Sequence, residues 1–204
     1  MKNRRGILLM LVGVVLILGA GGLLLYNNWQ EKNSKEFVSR VIDEFERLVD
    51  PFKRETMQLP KQMQSVVIDG KEYIGSLDFP TLDQSFPILK NCNDELLKLA
   101  PCRYTGSYLK DNMIIAGHNY SSGFGLIKRL EIGDKVFFTD TLGNTLTYKV
   151  KDVQEIDGMD IKGMKEKGEW DLTLFTCTYG GQSRYAVRCV KTNEERENIK
   201  KVSG

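Results

Sequence analysis

Leu172-Thr173-Leu174-Phe175-Thr176-Cys177-Thr178-Tyr179-Gly180-Gly181-Gln182-Ser183-Arg184-Tyr185-Ala186-Val187-Arg188-Cys189-Val190 is the stretch on which the fold turns. Residues 172–178 and 184–190 are β-type runs rich in branched and aromatic residues, and the Gly180–Ser183 segment between them has the composition of a turn. Two strands joined by so short a loop are antiparallel neighbours. Cys177, at the end of the first, then lies close to Arg184, at the start of the second. The same pattern recurs upstream. Met113 to Ala116, Lys135 to Thr139 and Thr145 to Val153 read as strands, with Gly143-Asn144 turning between the last two. Val66-Val67-Ile68 and Tyr73-Ile74-Gly75 flank Asp69-Gly70, a dipeptide that supplies the positive φ angles of a tight hairpin. Phe86 to Leu89 is another short strand, and Asn93 to Leu99 a short helix with an acidic first turn. Short strands at regular spacing with few helices predict a mostly β fold, a closed or nearly closed barrel.

The N-terminus is of another kind. Gly6 to Tyr26 is apolar without interruption and about as long as a bilayer-spanning helix requires, near 20 residues. Lys2, Arg4 and Arg5 precede it, and positive flanks stay in the cytoplasm. The expectation is a single-pass anchor, N-terminus inside and the rest of the chain outside. A cleaved secretory signal is the competing reading, but the apolar run outlasts the usual 7–15-residue signal core. Asn27 to Asn33 reads as a polar stalk. After it, Phe37, Val38, Val41, Ile42, Phe45, Leu48 and Val49 recur at helical spacing, with Asn33 and Glu36 as a capping box and Pro51 as the stop. The polar face of this amphipathic helix mixes both charge signs, which favours packing on the soluble domain, or a spacer role, over a lipid-binding one. Phe52 to Gln64 reads as a linker.

The 204 residues carry 29 Lys plus Arg against 27 Asp plus Glu, a net charge of +2. Near-neutrality and scattered basic residues give no footprint for nucleic acid. One histidine and separated cysteines give no zinc spacing, and no glycine loop for phosphate is present. Neither metal nor cofactor is expected. Of the four cysteines, Cys92 and Cys102 bracket a short helix, either as a disulfide or as two small buried hydrophobes, and Cys189 alternates with Val187 as a core residue.

A thiol is mostly protonated near neutral pH and needs a base or a stabilising cation to act as a nucleophile. His118, ending the run Asn112-Met113-Ile114-Ile115-Ala116-Gly117-His118-Asn119, is the one imidazole in the chain. Acyl transfer also requires donors aimed at the developing oxyanion, and Arg184 has a permanently charged fork of N–H groups. Singly, each residue has an ordinary structural use: a satisfied histidine, a buried thiol, a solvated strand-edge charge. Together, outside a membrane, they point to thiol acyl transfer.

Ile115-Ala116-Gly117-His118 and Thr173-Leu174-Phe175-Thr176-Cys177, followed by an arginine on the next strand, resemble the sortases, the membrane-anchored cysteine transpeptidases of Gram-positive bacteria. Gly75-Ser76-Leu77-Asp78-Phe79-Pro80 and Leu130-Glu131-Ile132-Gly133-Asp134-Lys135-Val136 extend the likeness, which covers about Tyr73 to Val190. The histidine precedes the cysteine, the reverse of papain-like peptidases. The resemblance implies an eight-stranded β-barrel over residues 65–204, behind an anchor (1–26) and a juxtamembrane helix and linker (27–64). It implies Cys177 as nucleophile, His118 as general acid and base, and Arg184 as orienting and oxyanion-stabilising group, with Arg188, of the same strand parity, as reserve. The backbone near Thr176 or Thr178 is a further donor. The implied partners are secreted proteins bearing a C-terminal sorting signal, an amine acceptor of peptidoglycan precursor or pilin, and the cell membrane. A non-catalytic surface assembly protein and a hydrolysing thiol peptidase are the alternatives.

His118-Asn119, Phe124-Gly125 and Cys177-Thr178-Tyr179 look like class B of that family. The short connection from Asp157 to Trp170 looks like class A or D. In the family this connection shapes the substrate groove, so Met159, Ile161, Met164 and Trp170 are candidates for contacts to the signal peptide, or else residues that pack the loop onto the barrel. Glu131 and Asp134 form no convincing calcium set.

Overall fold

The computed structural model describes residues 2–49, 59–160, 162–163, 168–178 and 180–193, with side chains from residue 6 onward. A long helix, α1 (Lys2–Leu48), leads into β1 (Val66–Ile68) and then eight further strands: β2 (Lys71–Phe79), β3 (Gln84–Leu89), β4 (Cys102–Thr105), β5 (Met113–Gly117), β6 (Lys135–Asp140), β7 (Thr145–Asp157), β8 (Leu172–Cys177) and β9 (Ser183–Thr192). A short helix, α2 (Asp94–Leu97), precedes β4. The order β2-β3-β4-β5-β8-β9-β7-β6 closes on itself through β2–β6 pairing, and β1 is an added hairpin arm on β2. The ring therefore has eight strands, as expected, and its closure removes the sheet edges that would otherwise invite aggregation. The β1–β2 turn is the expected Asp69-Gly70, with φ of 48° and 70°.

Alternation sets the two faces. Residues of one parity (Leu77, Ile88, Met113, Ile115, Phe138, Leu172, Leu174, Val187 and Cys189) fill the barrel. The other parity of the β5, β8 and β9 wall forms a second apolar cluster outside it: Ile114, Ala116, Phe175 and Ala186, joined by Ile156 of β7. A third cluster joins α1 to the barrel, where Val41, Phe45 and Val49, each at most 4% exposed, pack on Ile68, Tyr73 and Leu89. The amphipathic stretch thus docks on the domain.

Three sequence expectations change. No stalk separates anchor from amphipathic helix; α1 is continuous through Asn27 to Asn33, and Asn33 and Glu36 lie inside it rather than at a start. That segment has no glycine or proline and contains Gln30, Glu31 and Lys32, so extending a formed helix is easier than nucleating a new one. Strand β7 runs four residues past Val153, because Gln154 to Asp157 stay paired with Ser183 to Ala186 of β9; the polar Gln154, Glu155 and Asp157 around Ile156 concealed it. Strand β4 carries no sequence signal, being short, polar and bulged between Arg103 and Thr105. The stop at Pro51 and most of the linker lie outside the described residues.

The β3–β4 seam is thin, with the single parallel pair Leu89↔Cys102. Two side-chain ties reinforce it. Arg103 donates from Nε to the Lys90 carbonyl at 3.1 Å and from Nη1 to the Gly106 carbonyl at 3.2 Å. Cys92 and Cys102 form a disulfide across a sequence separation of 10, which settles the alternative left open above. Closing so short a loop is worth about 2–3 kcal/mol through the unfolded chain's lost entropy. Reducing it, or replacing both cysteines with serine, is expected to lower the melting temperature. Alkylation of the denatured, unreduced protein should find two thiols, and finding four would contradict the bond.

Candidate active site

Three adjacent strands carry the site. In the parallel β5–β8 ladder, Gly117 pairs with Thr176, so His118 and Cys177 are each the next residue along. In the antiparallel β8–β9 ladder, Cys177 pairs with Arg184, and register partners project from the same face of a sheet. The register thus sets cysteine and arginine opposite each other, with the histidine one residue past the end of β5 at the level of the cysteine, a row at the end of the barrel. Cys177 and Arg184 share the parity of Phe175 and Ala186, so the row lies on the outer face, beside the apolar cluster there. All three side chains are half-buried. The side-chain amide of Asn119 donates to the Thr178 carbonyl at 3.2 Å, tying the residue after the histidine to the residue after the cysteine.

His118 sits in a tightly made corner. Its Nδ1 accepts the N–H of Asn119 at 3.2 Å, and its ring lies 4.3 Å, centroid to centroid, from that of Tyr120. Gly117 lets the strand end there, since a Cβ on it would lie 2.1 Å from the Phe124 ring. Gly125 likewise passes under the Asn119 and Tyr120 backbone, within 2.6 Å of where its Cβ would stand. The 3-10 turn Phe124–Arg129, which follows, is unmarked in the sequence. Burial lowers the His118 pKa below that of an ordinary histidine, and the positive charge of Lys98 adds to the effect. The ring is therefore neutral at pH 7 and able to take a proton. In the unfolded chain the same ring binds a proton near pH 6.5, so between that value and the lower folded one the unfolded state holds more protons and stability falls as pH falls. The one Cε1 proton resonance is expected to titrate with a midpoint below 6.5 in native protein; a midpoint above it would contradict this burial.

The thiols divide cleanly. Cys189 is fully buried in the barrel, where desolvation pushes its thiol pKa up. Cys92 and Cys102 are bonded to each other. Cys177 is left as the one partly exposed free thiol of the four cysteines.

Arg184 donates through Nη1 to the Gly158 carbonyl, and the Gly158 N–H donates to the Gln182 carbonyl at 2.8 Å. The β7–β8 connection is thereby fixed beside the row. Arg188, the reserve candidate, lies elsewhere: it pairs with Thr173, four residues along β8 from Cys177, about 13 Å at strand rise. It is 1% exposed. Its guanidinium donates to Thr173 Oγ1 at 3.0 Å and to the Gly163 carbonyl at 2.5 Å, and lies 4.6 Å from the Trp170 ring centre. Arg188 and Trp170 together clamp the connection to the barrel, a packing role for Trp170. Met159 is 89% exposed on that connection; Ile161 and Met164 lie outside the described residues. Thr176 is buried at 1% exposure with the parity of the barrel interior. The Thr178 N–H donates to the Ser183 carbonyl at 2.8 Å, and its hydroxyl is bonded to Ser183 as well, so this residue builds the β8–β9 turn. The sequence assigns no site role to Asn119, Tyr120 or the Gly158 carbonyl; proximity to His118 is the available signal for the first two.

Over residues 77–192 the chain matches the family model described as the sortase domain. It is 30% identical over 194 residues to sortase A of Bacillus anthracis, covering 89% of this chain and 90% of that protein. Among solved structures, sortase A from Corynebacterium diphtheriae superposes with a TM-score of 0.57 at 18% identity, over 88% of this chain and 98% of that one. Sortase C1 from Streptococcus agalactiae gives 0.56 at 21% identity, over 77% and 90%.

Proposed function

The chain belongs to the sortase family, and from that premise we propose that it cleaves a C-terminal sorting signal of secreted proteins through a thioester on Cys177 and joins the new carboxyl end to an amine. The observation that carries this reading is the row His118–Cys177–Arg184 across neighbouring strands. Cys177 Sγ attacks the carbonyl carbon of the scissile peptide bond while neutral His118 takes the thiol proton. The tetrahedral oxyanion forms beside the Arg184 guanidinium, whose charge is worth most at that moment. Collapse expels the amine half of the substrate, which receives the proton from His118, and leaves the thioester. The acceptor amine then attacks; His118 removes its proton and returns it to the departing thiolate. Each half-reaction moves one proton out and one back.

The helix α1 includes a stretch of mean hydropathy 2.8, long and apolar enough to cross a membrane and unburied by the barrel. With Lys2, Arg4 and Arg5 at its start, the proposed orientation keeps the N-terminus in the cytoplasm and the barrel outside. The outer apolar face beside Cys177, with the β7–β8 connection along it, is the proposed seat of the signal peptide. The acceptor is an amine of peptidoglycan precursor or of a pilin.

The test is a peptide library with threonine at the scissile position, incubated with amine acceptors and read by mass spectrometry. Cleaved product carrying the acceptor supports transpeptidation. Cleavage with water alone as acceptor supports the hydrolase, and no cleavage of any member, with Cys177 reduced, removes the enzymatic reading.

A further inference from the structure

The carboxylate of Glu31, in α1, reaches the loop that follows His118. Its Oε1 accepts three hydrogen bonds at 2.7 Å: from the Ser121 hydroxyl, the Ser122 N–H and the Ser122 hydroxyl. No other α1 carboxylate among the described residues has such a cluster of partners. Burial acts to raise the Glu31 pKa, but the hydroxyl and backbone bonds of Ser121 and Ser122 outweigh it, and the carboxyl titrates below the usual range. It is therefore charged at neutral pH, and its three hydrogen bonds are of the stronger, charge-assisted kind. Between this contact and the imidazole stands Tyr120, whose ring lies against His118 and whose buried hydroxyl feels the Glu31 and Tyr26 groups of the helix. A cavity of about 40 Å³ lies between helix and barrel here, lined by Glu31, Ser34, His118 and Tyr120 among others. Glu31 is five residues beyond Tyr26, the end of the apolar run, so the contact lies about 7–8 Å of helix rise past it.

We propose that Glu31 is a positioning residue for the histidine: by holding Ser121 and Ser122 it fixes the loop 119–123, keeps Tyr120 against the imidazole, and makes the membrane-anchored helix a supporting wall of the active site. This rests on the proposed role of His118. The hydrogen bonds themselves hold whatever that role is. A catalytic base must stand within hydrogen-bond reach of its proton, and a small misplacement of a reacting group can cost about a hundredfold. A soluble fragment cut after Glu31 would keep the His118–Cys177–Arg184 row and lose this wall.

Ser34 provides the contrast. One helical turn on, its hydroxyl donates to the Leu99 carbonyl at 2.9 Å, docking the same helix through the segment before β4. The experiment compares full-length Glu31→Ala, Glu31→Gln and Ser34→Ala with the parent chain in lipid nanodiscs. It reads peptide-cleavage kcat and KM together with the His118 Cε1 resonance and its titration midpoint. For Glu31→Ala the expectation is a kcat lower by about ten- to a hundredfold, KM within about twofold, and a displaced His118 resonance and midpoint. Glu31→Gln, whose amide oxygen still accepts, is expected to recover most of the loss, and Ser34→Ala to leave kcat and the resonance in place. Glu31→Ala with unchanged kcat and an unmoved resonance would overturn the proposal. So would equal effects of Glu31→Ala and Ser34→Ala, which would reduce the contact to simple docking. Should the parent chain itself show no turnover, the functional reading fails, and the resonance alone decides the role of Glu31.

Discussion

Cys177→Ala is expected to abolish peptide cleavage to the background of the assay while leaving the melting temperature within a few degrees of the parent. The thiol is the group that forms the acyl bond in the proposed reaction, and the chain offers no substitute. Cys189 is sealed in the barrel and Cys92 is bonded to Cys102. The stability expectation follows from position. Cys177 is half-buried at the end of β8, and removing one sulfur there opens no closed cavity, unlike a core deletion. Steady-state cleavage and thermal unfolding measured on one preparation check both halves. Retained turnover would end the thiol mechanism, and loss of folding would make the activity result uninformative about chemistry. Cys177→Ser serves as the second variant, keeping shape and hydrogen bonding with a far weaker nucleophile.

Arg184→Ala is expected to lower kcat by about 10²–10³-fold, the usual cost of removing one oxyanion donor. Arg184→Lys should recover little of it, because a lysine offers a point charge without the planar fork. The geometry explains why the position is exacting. Arg184 is placed by its register with Cys177 and anchored through Nη1 to the Gly158 carbonyl; in the proposed reaction its other N–H groups serve the oxyanion. If the arginine only held the β7–β8 connection in place, the two variants would raise KM and spare kcat. The kcat–KM split therefore separates oxyanion stabilisation from loop positioning.

Much of this site was legible because its parts sit where periodicity changes. Cys177 and Arg184 are separated by only six residues, at the turn between two clear β runs, so adjacency followed from the chain itself. His118 was legible by uniqueness and by ending a strand, although its meeting with Cys177 depends on the parallel β5–β8 pairing, which no local pattern encodes. Strand β4 was illegible because it is four residues long and bulged, and is held by its pairing with β5, one backbone pair to β3, the Arg103 side chain and a disulfide, none of which a local pattern encodes. The continuity of α1 was missed because Asn33 and Glu36 imitate a capping box, while neighbouring helix formers keep the helix running. Glu31 was invisible for a related reason: it looks like any solvated helical glutamate until the fold brings Ser121 and Ser122, about ninety residues away, onto it. Arg188 illustrates the converse. Its parity with Arg184 was read correctly, but parity gives the face and not the distance along the strand, and four residues separate it from the thiol's level.

The most direct measurement is intact-mass spectrometry of the protein mixed with a cleavable sorting peptide and quenched before acceptor is added. The proposed mechanism predicts an adduct equal in mass to the N-terminal part of the peptide, mapped to Cys177, discharged by an amine into the ligated product and missing in Cys177→Ala. Ligated product forming at full rate with no acyl group on Cys177 at any time point, or an adduct mapped to another residue, would contradict it.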